Sequence, residues 1–282
     1  MLVPMIYLVA RAFDADAATL VDVVFRRRNL ALLGNTLALT ACVLAVTTAV
    51  ALPLAWLVTR SDLRFKGLHS VLGVLPLAVP GYVMAYALIG LSGYYGFASQ
   101  LLGIRLPRPE GLWGAALALS LYTFPYLFLN LRAALLGLDP GLEESARCLG
   151  RSPWNAFRTV TLPHLAPALL AGWLVIALYV VGDFGVIALM RYEVFSYAIY
   201  TQYAAAFDRV YAAWLSLMLI AVTLSFILIE ARLRRGRYAR IGKGTARQPA
   251  LVPLGRFRPL AWAFLTLVYA ASLGLPLVVL AY

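Results

Sequence analysis

The sequence predicts an all-α, polytopic bundle of transmembrane helices, and three observations carry that prediction. Of 282 residues, 63% are hydrophobic and only 13% charged, with a mean hydropathy of +0.84. A soluble domain is closer to half apolar. Apolar runs of about 20 residues, the length that crosses a hydrocarbon core about 30 Å thick as a helix, recur with no charge inside them but Asp183. The runs also lack period-2 alternation, which excludes a barrel and leaves helices as the way to pair every backbone N–H and C=O within lipid.

Taken in order, residues 1–10 are apolar but about half a span long, and lack the basic region and small-residue cleavage site of a signal peptide. They read as the end of an incomplete first helix. Full spans follow at 30–59, 67–93, 112–131, 168–190 and 211–229, and a further run at 260–282 ends with the chain. Both ends therefore read as cut. Pro53, Pro76, Pro80, Pro125 and Pro276 lie inside these spans and predict kinks, which membrane helices tolerate when neighbours re-satisfy the freed carbonyls. At Pro80-Gly81-Tyr82 a break is expected.

The formal charge of +12 is explained by its distribution and needs no nucleic acid. Arg60, Arg64 and Lys66 follow the first full span, Arg132, Arg147, Arg151 and Arg158 surround a later loop, and nine more basic residues lie between 232 and 258. Those loops alternate along the chain and so share a side, which the positive-inside rule makes the cytoplasm. Segment 231–259, basic and punctuated by glycine, reads as a linker over anionic headgroups. Its Gly242-Lys243 lacks phosphate-loop spacing, because Arg237 and Gly244 stand where glycine and Ser or Thr are required. Arg26, Arg27 and Arg28 fall outside and run against this topology; an interfacial helix over 19–28 would hold them at the headgroups.

Cys42 and Cys148 give no disulfide framework, and His69 and His164 are too far apart in sequence for metal-ligand spacing. Few polar groups lie within the spans, which argues against an integral-membrane enzyme, and no cofactor is called for. A channel that works without an ATPase is the other class to weigh, and co-purification with a nucleotide-binding subunit separates the two.

The cytoplasmic segment 132–167 carries more local structure than a connector needs. Asp139-Pro140 is a helix start, with a capping side chain and a proline where its missing donor costs nothing. Glu143 and Glu144 follow near the positive end of the helix dipole. Gly150 supplies a left-handed stop, Ser152-Pro153 starts a second helix to about Thr161, and Leu162-Pro163 and Pro167 lead into the next span. Leu142, Ala146 and Leu149 line one face of the first helix, while Trp154, Phe157 and Val160 recur at threes on the second. The expected product is a helix-Gly-helix hairpin that presents an aromatic pair to the groove of a partner.

At these residues the chain resembles the permeases of ABC importers, whose cytoplasmic motif is E-A-A, three residues, G, nine residues, I, any residue, L-P. Here it reads Glu144-Ser145-Ala146, three residues, Gly150, nine residues, Val160, Thr161, Leu162-Pro163, with Ser145 for alanine and Val160 for isoleucine. The resemblance implies a type I ABC importer permease fold. It also implies that Glu143, Glu144, Ser145, Ala146, Gly150, Trp154, Phe157, Val160, Leu162 and Pro163 dock on an ABC nucleotide-binding subunit, present as a homodimer. An extracytoplasmic solute-binding protein and a second permease half are the other implied partners, in a bacterial inner membrane. The permease itself does no chemistry on this reading.

Gly182-Asp183-Phe184-Gly185, Leu189, Arg191-Tyr192 and Phe195-Ser196-Tyr197-Ala198-Ile199-Tyr200 resemble the corresponding stretch of ferric-iron permeases, many of which fuse two halves in one chain. That resemblance implies 1–230 as the first half, 231–259 as the linker, and 260–282 as the first helix of the second half. It implies ferric iron as cargo, although thiamine, polyamine, sulfate and phosphonate importers share the same loop. Asp183, placed inside a span, is expected either to face the translocation path or to pair with Arg191. Tyr82, Pro80, Gly81 and Tyr179 are the other path candidates; Tyr179 and Asn130 are also credible as polar glue between helices.

Overall fold

The computed structural model describes residues 2–13, 26–206, 208–234 and 251–281. Its helices are α1 Leu2–Ala12, α2 Arg27–Arg60, α3 Lys66–Leu72, α4 Gly81–Leu91, α5 Phe97–Leu102, α6 Gly111–Gly137 and α7 Pro140–Cys148. They continue as α8 Pro153–Ala156, α9 Leu162–Gly182, α10 Gly185–Leu189, α11 Phe195–Tyr200, α12 Arg209–Arg234, α13 Arg258–Tyr269 and α14 Leu275–Ala281. Among the described residues the extended structure consists of one isolated bridge, Ser61 to Val252. Among the described residues, five helices are long and apolar enough to cross a membrane: Arg27–Arg60, Gly111–Gly137, Pro153–Gly182, Arg209–Arg234 and Gly255–Ala281. The pair Lys66–Ala78 and Gly81–Leu91 is bent by 93° at its break, which makes it either a broken span or a re-entrant loop. Residues 19–25 of the expected interfacial helix and 235–250 of the linker lie outside the described residues, while Arg27 and Arg28 already belong to α2.

Two spans depart from straight helices, at three places. Span 67–93 winds down through a 3-10 turn at Leu75–Ala78 and stops at Val79, which is extended at φ −87°, ψ 116°. A residue before proline is pushed out of the helical region, so Pro80 places the break and Gly81 opens α4. Span 168–190 ends at Gly182 and resumes as α10. Asp183 therefore sits in a break, and its expected place inside a helix is corrected. In the other direction, the second loop helix does not stop near Thr161 but runs on into the span. Phe157–Thr161 forms a π turn in which the Leu162 N–H reaches the Phe157 carbonyl. This wide turn sits directly before Pro163, so the ladder already deviates where the proline donor is missing.

The chain divides by its contacts into two compact units, residues 1–45, 81–120 and 177–229 in one and residues 46–80, 121–176 and 230–282 in the other. The first unit is centred on Leu32, Phe195, Ala198, Tyr211 and Leu215. Polar side chains in it find partners across helices, as they must in lipid. Tyr211 Oη donates to Asn29 Oδ1 at 2.8 Å, Asn35 Nδ2 to the Glu193 carbonyl at 2.8 Å, and the Phe195 N–H to Thr36 Oγ1 at 3.3 Å. Of the basic cluster that runs against the topology, Arg26 lies over the Tyr211 ring at 4.9 Å and Arg28 pairs with Glu193 at 3.6 Å.

In the second unit, small residues allow close helix approach, the usual packing device in membranes. A Cβ placed on Gly172 would lie 2.6 Å from Leu127 Cδ1, and one on Gly73 would lie 2.8 Å from Phe128 Cε1. Trp173 Nε1 donates to Thr48 Oγ1 at 2.8 Å. His69, 4% exposed, is stacked on Tyr269 with Trp262 edge-on, at centroid distances of 5.8 and 5.2 Å.

Candidate functional site

The hairpin between α6 and α9 is built from three local devices. Asp139 caps α7, its Oδ1 accepting the Gly141 N–H at 2.9 Å with Pro140 at the first helical position. Ser152 caps α8 in the same way, its Oγ accepting the Asn155 N–H at 3.3 Å. Between them Gly150 has φ +82°. The Arg151 N–H bonds back to the Ala146 carbonyl at 3.2 Å and the Gly150 N–H to the Arg147 carbonyl at 3.0 Å. That pair of bonds is the Schellman closure, which satisfies the last carbonyls of α7 and turns the chain sharply.

Further bonds hold the arms together. Thr161 Oγ1 donates to Glu143 Oε2 at 3.4 Å, joining α7 to the π turn. Arg151 donates to Thr159 Oγ1, and that hydroxyl donates in turn to the Asn155 carbonyl at 2.6 Å. Ala146 and Ala156 are buried, and Leu142, Glu143, Glu144, Phe157, Val160 and Leu162 are half-buried. Ser145, Gly150 and Pro163 are exposed. Leu149 does not share the buried face expected of it and is 83% exposed, because α7 has ended at Cys148 and Leu149 is already the cap residue. Trp154, 69% exposed, stacks on Phe157 at 5.8 Å between ring centroids. The hairpin thus sets an exposed leucine before the elbow and an exposed tryptophan after it.

Its root is fixed by a residue whose role the sequence did not reveal. Arg60 is 5% exposed, and its Nη2 donates to the Leu135 carbonyl at 3.1 Å and the Leu138 carbonyl at 3.4 Å. These are carbonyls at the end of α6, where the helix leaves acceptors unmatched and favours a cation. Glu143 is the acidic neighbour of the same guanidinium. In the sequence Arg60 stands only as the first charge after an apolar run.

The path candidates divide differently. Gly185 approaches Tyr82, a Cβ on the glycine falling 3.7 Å from the tyrosine Cβ, so α10 rests on α4. Phe184 lies against Tyr200 at 4.5 Å and Tyr197 at 6.4 Å. Tyr82 and Tyr179 are exposed, Pro80 ends its helix at the break and Gly81 begins the next. Asp183 is half-buried, and its Oδ1 accepts the Val186 N–H at 2.9 Å while its carbonyl accepts from Ser196 Oγ at 2.7 Å. The Arg191 guanidinium is 3.9 Å from Glu110. Asp183 thus caps the first turn of α10 from the residue before its N-cap position, Phe184. Asp183→Ala is expected to cost about 1 kcal/mol, the usual value of such a cap, and Asp183→Asn much less. Thermal unfolding in detergent measures both.

The described residues thus combine helices of membrane-crossing length with a capped hairpin between α6 and α9. Residues 48–237 match the family described as binding-protein-dependent transport system inner membrane component, and the chain belongs to that family. Among curated relatives, the Fe(3+)-transport system permease protein FbpB 2 of Haemophilus influenzae is 30% identical over 282 residues, 99% of this chain and 53% of that protein. The molybdenum transport system permease protein ModB of Escherichia coli is 36% identical over 137 residues, 46% of this chain and 58% of that one. The chain therefore spans little more than half the length of these relatives. A solved bacterial alginate ABC transporter, bound to its alginate-loaded periplasmic protein, shares the fold with a TM-score of 0.64 at 21% identity, covering 82% of this chain and 87% of that one.

Proposed function

We propose that the chain is permease machinery of an ATP-driven importer. It takes solute from an extracytoplasmic binding protein and receives the work of ATP hydrolysis, done by a separate nucleotide-binding subunit, through the hairpin 139–163. The observation that carries this reading is the hairpin itself: two side-chain caps and a left-handed Gly150 hold Trp154 exposed on a short rigid element, the form in which a helix enters a partner's groove. Glu143, Glu144, Ser145, Ala146, Gly150, Trp154, Phe157, Val160, Leu162 and Pro163 form that coupling element. Residues 1–230 are the first permease half, 231–259 the linker and 260–282 the opening of a second half, with the path running between halves.

Ferric iron is the proposed cargo. Its support is the similarity to the Fe(3+) permease along almost the whole chain, where the molybdenum permease matches about half of it. The break at Asp183, with Tyr82, Tyr179 and the Phe184–Tyr200 pair, is the proposed wall of the path. Phenol oxygens there offer contacts weak enough for an ion to leave again. The test is ATP hydrolysis by the complex of full-length permease and ATPase in liposomes as loaded binding proteins are added. Ferric-loaded protein is expected to stimulate several-fold. Stimulation by a molybdate- or sulfate-loaded protein alone would replace the cargo and leave the importer; failure of the ATPase to co-purify would remove the importer reading.

A further inference from the structure

Where the chain returns after the basic stretch, it closes on the residues that follow α2. The Val252 N–H donates to the Arg60 carbonyl at 2.8 Å and the Asp62 N–H to the Val252 carbonyl at 3.1 Å, which makes the parallel bridge at Ser61. The Asp62 carboxylate extends the contact with both oxygens. Its Oδ1 accepts the Leu254 N–H at 2.9 Å, and its Oδ2 pairs with the Arg258 guanidinium at 2.9 Å. Ser61 between them is fully buried and donates to the Leu57 carbonyl at 2.6 Å, so the junction is part of the packed end of α2.

A partly exposed ion pair contributes little by itself. What distinguishes Asp62 is that two oxygens hold two different groups of one segment, a backbone N–H and the first side chain of α13, and so fix its register. Arg60 belongs to the same junction from the other side. Its carbonyl holds Val252, while its guanidinium holds the Leu135 and Leu138 carbonyls immediately before the Asp139 cap. One residue thus bonds both to the segment leading into α13 and to the root of the hairpin.

The geometry points to Arg60 and Asp62 as positioning residues that join the hairpin 139–163 to α13, so that displacement of the hairpin by its partner is carried into the following helix. This rests on the coupling reading of the hairpin. The packing of Trp262 and Tyr269 on His69 also joins α13 to the first half, at α3; the junction at Arg60 and Asp62 is the contact that starts from the root of the hairpin.

The test has an arm that needs no partner protein. In the full chain carrying Cys42→Ser and Cys148→Ser, Ser61→Cys and Val252→Cys are introduced with a protease site between Arg237 and Arg247. After mild oxidation of membranes and cleavage, the two fragments are expected to migrate together in at least half of the molecules until reductant is added. Free fragments throughout would overturn the junction. In the second arm, Asp62→Arg in the reconstituted complex, with ferric-loaded binding protein as the probe, is expected to lower transport per ATP hydrolysed at least fivefold. ATPase co-purification should stay at the wild-type level, and Arg258→Asp in the same chain should restore at least a third of the loss. An unchanged ratio in Asp62→Arg, or no restoration by the second charge reversal, would overturn the role in transmission. If the importer reading fails instead, the wild-type complex shows no coupled transport, while the cross-link still forms.

Discussion

Gly150→Val abolishes coupled transport while the spans remain inserted. Insertion is decided by the apolar runs, which the substitution does not touch. Among the described residues nothing lies within 4 Å of a Cβ built on Gly150, so the first atom of a side chain there meets no clash. The effect comes from the backbone: φ is +82°, and a β-branched residue there is strained by roughly 1–2 kcal/mol or more. The strain is relieved by opening the Schellman closure, which turns α8 and its Trp154 away from the geometry the partner requires. Transport and ATPase co-purification are both expected to fall by about tenfold or more, in line with 1.4 kcal/mol per decade. Gly150→Asn is the control, since asparagine tolerates the left-handed region, and it should stay within about threefold of wild type. If valine and asparagine behave alike, Gly150 matters through contact and not through conformation.

Features written locally in the sequence were legible, and those made by distant residues were not. The caps Asp139 and Ser152 and the elbow Gly150 each depend on three or four consecutive residues, and the structure has all three in the expected roles. The break before Gly81 is equally local, because proline acts on the residue before it. The break at Asp183 was hidden by its apolar flanks, Val180-Val181 and Val186-Ile187, which read as one hydrophobic run and are all buried. Pro163 and Pro167 misled in the opposite sense. They read as a stop, yet the π turn at Phe157–Thr161 lets the helix absorb the first of them, and hydropathy carries no signal for such a turn. Arg60 and Asp62 were visible only as charges after a span. Their partners, Leu135, Leu138, Val252, Leu254 and Arg258, lie about 75 to 196 positions away, beyond any periodic pattern.

A chain ending at Arg234 is expected to accumulate poorly and to support no transport. The loss is not chiefly hydrophobic, because lipid tails solvate an apolar helix about as well as another helix does; packing and polar pairing hold membrane helices together. Residues 251–281 supply both in the second unit. Trp262 and Tyr269 enclose His69, and Tyr269 Oη donates to the His69 carbonyl at 3.2 Å. Among the described residues neither ring nitrogen of His69 has a hydrogen-bond partner. Without α13 the ring loses both aromatic partners, and the His69 carbonyl loses the Tyr269 donor. The Asp62 carboxylate loses Leu254 and Arg258 at the same time. A milder version separates packing from the rest: Trp262→Ala leaves the Asp62 junction intact, removes the edge-on ring, and is expected to lower the melting temperature in detergent by roughly 5 °C. His69→Phe in the Trp262→Ala background should recover part of that loss, because it removes the polar atoms that the missing ring leaves uncovered. No recovery would mean that the truncated chain fails for want of volume around α3, and that the buried imidazole contributes little to its instability.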